Sequence, residues 1–288
     1  MNSKGKVLIT GMNGFTGAYV AATLKNHSFN CFGLDCDLLD VQKVNNRVTS
    51  LGPDYVIHLA GKSFSAELDV ASIYSSNVNG TLNLLDALIK LKTLPKKVII
   101  ASSASIYGDS KRSPIKESMI PKPINHYGCS KLSMEYMVEK YLDRLPILIA
   151  RPFNYTGIGH SKKFLIPKIV NAYKDKLSSI ELGNINVYRE FNDVRDISLI
   201  YAKLITSSCL NGPINICSGR SISISEIIEH MNEISSSNMN VLTKERFMRE
   251  NEIDNLTGSN EKLKASIQFD FKHSIKDTLH WMYSSASV

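Results

Sequence analysis

The feature that most constrains this fold is a glycine run placed directly after a short apolar stretch. Lys6-Val7-Leu8-Ile9-Thr10 leads into Gly11-Met12-Asn13-Gly14-Phe15-Thr16-Gly17, and a helical pattern opens at Gly17 and runs through Leu24. A strand that turns into a helix through closely spaced glycines aims backbone N–H groups at one spot, at the positive end of the helix dipole. Such a turn can hold a pyrophosphate. The G-x-x-G-x-x-G spacing differs from the G-x-G-x-x-G fingerprint of dinucleotide folds, and elsewhere in a chain it would read as a surface turn. After a first strand it points to an α/β fold that takes a dinucleotide.

The residues that follow keep this alternation. Asn30–Leu34, Tyr55–Ala60, Lys97–Ser102 and Pro146–Ala150 read as strands, and Asp40–Leu51, Ala71–Lys92 and Tyr127–Leu142 as helices. Short apolar strands alternating with longer helical patterns predict a doubly wound parallel sheet of the Rossmann type. Ligands of such sheets lie beyond the carboxyl ends of the strands, where the glycine loop, Leu59-Ala60-Gly61 and Ser102-Ser103 fall. Beyond Arg151, helical patterns at Phe164–Lys176, Asp196–Ser207, Ser221–Ile234 and Ile275–Tyr283 interleave with short strands at Ile180–Asn184, Val187–Phe191, Pro213–Cys217 and Val241–Thr243. They predict a smaller C-terminal α/β substrate-binding domain. The expected division is 1–160 with about 187–219 for the cofactor, and 161–186 with 220–288 for the substrate.

Composition narrows the partners. No apolar run approaches the roughly 20 residues that cross a bilayer. Val7–Thr10 is too short for a signal-peptide core, so a cytoplasmic protein with no membrane partner is expected. The five cysteines form no C-x-x-C pair, which argues against a disulfide framework or a zinc site; no metal is expected. Cys129 is expected to be a small residue on a buried helix face rather than a nucleophile, and Trp281 a packing residue. The net charge of +7 is scattered in pairs such as Lys96-Lys97 and Lys162-Lys163. Without basic-aromatic interleaving, this favours an anionic small molecule over a nucleic acid.

Three side chains can do chemistry on a carbonyl. Lys131 follows Tyr127 by one helical turn, so the two share a face, and Ser103 closes a strand. An ammonium beside a phenol is expected to pull the phenol's pKa down from about 10. Tyr127 would then exchange a proton with the carbonyl oxygen that Ser103 holds. An ordinary Tyr/Lys helix face beside a serine-rich turn would look the same; the glycine loop upstream weighs against that reading. Asp35 follows the second strand, where a carboxylate accepts from adenosine ribose hydroxyls. An arginine there would favour a 2′-phosphate and none comes before Arg47, which leans toward NAD over NADP. Asp35 also reads as a solvated turn residue, because only Cys36 separates it from Asp37. That compression predicts a missing or very short helix between the second and third strands, despite the pattern at 40–51.

In order along nearly the whole chain stand Gly11–Gly17, Asp37-Leu38-Leu39-Asp40, His58-Leu59-Ala60-Gly61, Asn77-Val78-Asn79-Gly80-Thr81, Ser102–Gly108, Tyr127–Lys131, Arg151-Pro152-Phe153-Asn154 and Asp193-Val194-Arg195-Asp196. With these marks the chain resembles the extended short-chain dehydrogenase/reductases of the nucleotide-sugar branch. The resemblance implies that Gly11, Gly14, Phe15, Thr16, Gly17, Asp35, Asp37, Leu38, Leu59, Ala60, Lys62, Tyr127 and Lys131 contact NAD(P)H. It implies Ser103, Tyr127 and Lys131 as the catalytic set. Ser103, Asn154, Arg189, Arg249 and Glu252 would face a nucleotide-diphosphate sugar, whose charge suits arginine forks. Arg189 and Arg249 also read as surface arginines, and Arg195 with Asp196 as a structural pair.

Family dehydratases carry an acidic pair just after the catalytic hydroxyl, whereas Ala104 and Ser105 follow Ser103 here. The C-terminal half, with Asn215-Ile216-Cys217-Ser218-Gly219 and Thr257-Gly258-Ser259-Asn260, looks most like GDP-4-keto-6-deoxymannose reductases. The expected activity is reduction of the C4 ketone of a nucleotide-linked 4-keto-6-deoxyhexose, in deoxysugar biosynthesis for surface polysaccharide. The alternatives are a nucleotide-sugar 4-epimerase with tightly bound NAD, and a dinucleotide-sensing scaffold on the same fold. The resemblance also implies a homodimer through the long helices.

Overall fold

The structure, a computed structural model, describes residues 3–63, 69–108, 110, 113–207, 211–244 and 254–286. Val7, Leu8 and Ile9 have no exposed surface, as expected of a strand covered on both faces of a parallel sheet. This strand, β1 (Lys6–Thr10), pairs with β2 (Asn30–Gly33) on one side and β3 (Tyr55–His58) on the other. With β4 (Lys97–Ala101), β5 (Ile147–Pro152) and β10 (Gly212–Ile216), the six parallel strands run in the order β2-β1-β3-β4-β5-β10. The order reverses between β1 and β3, which opens a crevice at their carboxyl ends. The doubly wound sheet is as expected.

Helices cover both faces. On one, α1 (Phe15–Asn26) and α7 (Val194–Leu204) bury Val20, Leu24, Ile197 and Ile200 against the sheet. On the other, α2 (Val41–Leu51), α4 (Gly80–Leu88) and α5 (His126–Glu139) bury Val44, Val48, Leu84, Leu88, Met134 and Val138. Each such side chain contributes roughly 1.5–3 kcal/mol.

The expectation of a missing or very short second helix is corrected: α2 has 11 residues. Asp40 caps its start by accepting the Lys43 N–H, and Gly52 ends it in the left-handed region. Val44, Val48 and Leu51 supply its buried stripe, so the compression falls on the loop before it. The long helix expected at 71–92 is α3 (Val70–Tyr74) continued into α4 through a π-turn, Ser75–Asn79. π-Turns of this kind gather at functional sites.

Beyond β5, α6 (Leu165–Lys174), α8 (Ile224–Ser235) and α10 (Ile275–Ser284) enclose a separate core around Ile169, Ile227, Met231 and Leu279. Small sheets pair β7 (Ser179–Leu182) with β12 (Asn240–Thr243), and β6 (Tyr155–Thr156) with β9 (Asn192–Asp193). β8 (Tyr188–Arg189) lies between β11 (Ile222–Ser223) and β13 (Asn255–Leu256). Among the described residues, no helix is long and apolar enough to cross a membrane.

Two local expectations change. Arg195 pairs with Asp193 at 2.7 Å, whereas Asp196 accepts from Lys272 N–H and His273 N–H. Adjacent helical residues do not face each other, and Asp193, the N-cap of α7, is within reach. The Arg195 guanidinium also lies 3.8 Å from the Trp281 ring centroid, so Trp281 does pack as expected. Cys129 is only half-buried rather than on a buried face, since α5 turns that side away from the core.

Candidate active site

The glycine loop is built to admit a phosphate. Gly11 has φ +67°, and a Cβ there would come within 3.0 Å of the Ala60 backbone. A Cβ on Gly17 would collide with the Gly11 carbonyl oxygen. Gly14 N–H donates to Gly11 O at 3.0 Å and closes the turn. No side chain caps α1 at its N-cap, Gly14, and no acidic residue stands in its first turn. The positive end of the helix dipole is left to an anion, so the residues present fit a dinucleotide pyrophosphate.

A crevice of about 440 Å³ runs from this loop along the strand ends, within the usual range for cofactor sites. Gly11, Gly14, Asp35, Asp37, Leu38, Ala60 and Lys62 line it. Phe15 and Thr16 face away from it, toward residues 155–164. Asp35 is an exposed turn residue at φ +58°, and its carboxylate pairs with Arg47 at 2.8 Å. The Arg47 guanidinium also donates to Gly33 O. The expectation that no arginine stands near Asp35 is thereby corrected, because α2 folds back over the end of β2. The basis for preferring NAD goes with it.

Behind the crevice lies a buried network without assigned roles in the sequence reading. Thr10 stands opposite His58 in the sheet register. His58 sits between Thr10 Oγ1 at 2.6 Å and Thr81 Oγ1 at 2.9 Å. Thr81 donates to Asn77 O, and Thr10 accepts from Ala60 N–H. These directions leave the His58 proton on Nε2, and burial pushes its pKa down to about 3. Asn77, in the π-turn, accepts from Lys62 N–H and donates to Lys62 O and Ser130 Oγ. It thus joins the loop after β3 to the helix that bears Tyr127. In the sequence, His58 and Ala60 stand out only within the family mark His58–Gly61, and Asn77 and Thr81 only within Asn77–Thr81.

The catalytic candidates converge. Ser103 Oγ accepts from Ser105 N–H and donates to Ser105 Oγ, each over 3.1 Å, and its hydroxyl lies beside the Tyr127 phenol. Tyr127 is half-exposed along its length, but its hydroxyl end is enclosed. Burial pushes that phenol up to about 12, opposed by the neighbouring Ser103 hydroxyl. Lys131 donates to Ala101 O at 2.8 Å, and burial brings its ammonium down to about 8 against the pull of Glu135. The expected lowering of Tyr127 by Lys131 is not found: loss of water raises the phenol, and the ammonium is directed at a backbone carbonyl. A protonated phenol beside a hydroxyl is an arrangement for giving a proton to an oxygen.

On the substrate side, Asn154 is exposed and its carbonyl accepts from Asn192 N–H. Arg189 is half-buried and donates to Tyr188 O. Beside it, the fully buried carboxylate of Glu190 accepts from the N–H groups of Ser218, Gly219 and Gly258. Arg249 and Glu252 lie outside the described residues.

The profile of the family described as GDP-mannose 4,6 dehydratase matches residues 30–282. The chain is 35% identical to a GDP-6-deoxy-D-talose 4-dehydrogenase of Aggregatibacter actinomycetemcomitans, over 97% of each chain. It is 31% identical to a GDP-6-deoxy-D-mannose reductase of Pseudomonas aeruginosa, over 97% of this chain and 96% of that one. The solved structure of RMD from Pseudomonas aeruginosa, complexed with NADPH, superposes with a TM-score of 0.90 at 30% identity over 98% of each chain. With its glycine cradle, parallel sheet and Ser103–Tyr127 pair, the chain belongs to the nucleotide-sugar branch of the extended short-chain dehydrogenase/reductases, NAD(P)-binding oxidoreductases of the Rossmann fold.

Proposed function

We propose that this chain reduces the C4 ketone of a GDP-linked 4-keto-6-deoxyhexose with NAD(P)H. The observation that carries the reading is the Ser103 hydroxyl beside the enclosed Tyr127 phenol, with Ala104 and Ser105 following Ser103. A bound reduced nicotinamide supplies the hydride. Tyr127, held protonated at neutral pH by its raised pKa, gives its proton to the developing C4 alkoxide. Ser103 positions that oxygen, and the Lys131 ammonium stabilises the phenolate left behind. Ala104 has no functional group and Ser105 carries a hydroxyl, so the carboxylate pair needed for 4,6-elimination is missing. The names of the two relatives, a 4-dehydrogenase and a reductase of GDP-6-deoxyhexoses, support both the base and the carbon.

In this reading Asn154, Arg189, Arg249 and Glu252 hold the sugar diphosphate. Residues 1–160 with about 187–219 serve the cofactor, and 161–186 with 220–288 serve the substrate. The test is to mix the purified chain with GDP-4-keto-6-deoxymannose and NADPH or NADH. Loss of reduced-nicotinamide absorbance, mole for mole with product, supports the reading. Turnover of a UDP-hexose without added cofactor, in place of that loss, would point to an epimerase.

A further inference from the structure

His160 lies between two aromatic rings from the two halves of the chain. The Phe15 ring stacks on it with centroids 4.4 Å apart and planes 7° from parallel. The Phe164 ring covers its other face at 4.2 Å and 27°. Phe15 opens α1 immediately after Gly14 of the phosphate cradle, and Phe164 is the N-cap of α6.

Two further bonds fix the same pair of segments. Thr16 Oγ1 meets Tyr155 OH at 2.8 Å, and Tyr19 OH donates to Ile158 O at 2.9 Å. Phe15, Thr16 and Tyr19 thus grip residues 155–164, which begin next to Asn154 and end at the N-cap of α6. His160 is itself held by Thr156 Oγ1 at 3.2 Å from Nδ1, and its own N–H donates to Gly157 O. Burial lowers its pKa to about 4, so at neutral pH the sandwich consists of uncharged rings. The ring stack and the two hydrogen bonds thus join the start of α1 to the segment that leads into α6.

We propose that His160 is a positioning residue that couples the glycine cradle to the sugar-nucleotide half, so that dinucleotide and nucleotide each tighten the binding of the other. The coupling rests on the preceding reading that the C-terminal half takes a GDP sugar. A ligand that orders one side of the stack removes part of the ordering cost for a ligand on the other. The factor must be the same in both directions.

The test measures NADPH affinity by its fluorescence, with and without saturating GDP, in the wild-type chain, His160→Ala and His160→Phe. In the wild type GDP should tighten NADPH about fivefold or more, the lower end of ordinary coupling. In His160→Ala that factor should fall to about one, and NADPH alone should bind several-fold more weakly. His160→Phe keeps a ring in the stack and should restore both. A wild-type chain that binds both ligands without mutual effect overturns the proposal. So does a His160→Ala variant that weakens each ligand but keeps the wild-type factor, the mark of a merely structural role. If GDP binds no variant, the sugar-nucleotide reading fails separately. The NADPH arm then still decides for His160, and an affinity unchanged in His160→Ala overturns its positioning role.

Discussion

The Lys131 ammonium donates to the carbonyl of Ala101 over 2.8 Å, tying the helix of Tyr127 to the strand end that leads into Ser103. The contact satisfies one donor of a cation that is otherwise stripped of water, and burial brings its pKa down to about 8. Tyr127, at about 12, stays protonated through that range. As pH rises through about 8, Lys131 loses its charge, and with it the stabilisation of the phenolate that the proposed mechanism assigns to it. The expected result is a kcat/KM for reduction that falls across this window. A profile that stays flat there would remove Lys131 from the proton chemistry.

Tyr127→Phe deletes the proton donor and keeps the ring. Loss of a positioned general acid costs about 10²–10⁴-fold in rate. NADPH should bind the variant as it binds the wild type, because the cradle at Gly11–Gly17 is untouched. Turnover within a few-fold of wild type would sink the assignment.

His58 makes stability depend on acid. Its folded pKa of about 3 lies below the ordinary 6.5, so between these values the unfolded chain binds a proton that the folded chain refuses. Stability therefore falls as pH drops from 6.5 toward 3, by at most about 1.4 kcal/mol per pH unit for one group. His160, lowered to about 4, adds a contribution of the same sign between 6.5 and 4. Urea melts at stepped pH should show a shallower acid limb for His58→Gln, whatever its stability at neutral pH. An acid limb as steep as the wild type's would mean that other groups govern the transition.

How far these sites were legible in the sequence depends on how local they are. Gly11–Gly17 and Tyr127–Lys131 are read from neighbours a few residues apart, and the helices from the spacing of buried positions such as Val44 and Val48. The His58 network joins Thr10, Ala60, Asn77 and Thr81, from different elements, and no local pattern carries it. The Arg47–Asp35 pair is hidden for the same reason: it exists only once α2 has folded back onto β2. The stretch Val187–Phe191 looks like a strand, yet only Tyr188 and Arg189 pair as one. Phe191 packs instead into the core of the second half, and alternation alone does not separate the two outcomes.

Glu135 and Arg151 give the sharpest stability test. Their bidentate pair, at 2.6 and 3.0 Å, is 4% and 6% exposed and joins α5 to β5 one turn beyond Lys131. Tyr107 OH and Glu117 O take further bonds from the guanidinium. Glu135→Ala leaves that cation buried without its carboxylate, a loss of about 3–5 kcal/mol. Replacing both partners, as Glu135→Leu with Arg151→Met, removes the two charges together and keeps apolar volume. The double variant should therefore be more stable than Glu135→Ala, with the difference read from the midpoint of a urea melt at neutral pH. It should still fall short of the wild type, since Glu117 O loses a donor. If the double variant instead loses the sum of the losses of Glu135→Leu and Arg151→Met made singly, the pair does not act as a unit. The stability of α5 would then rest on its apolar face, Met134 and Val138, alone.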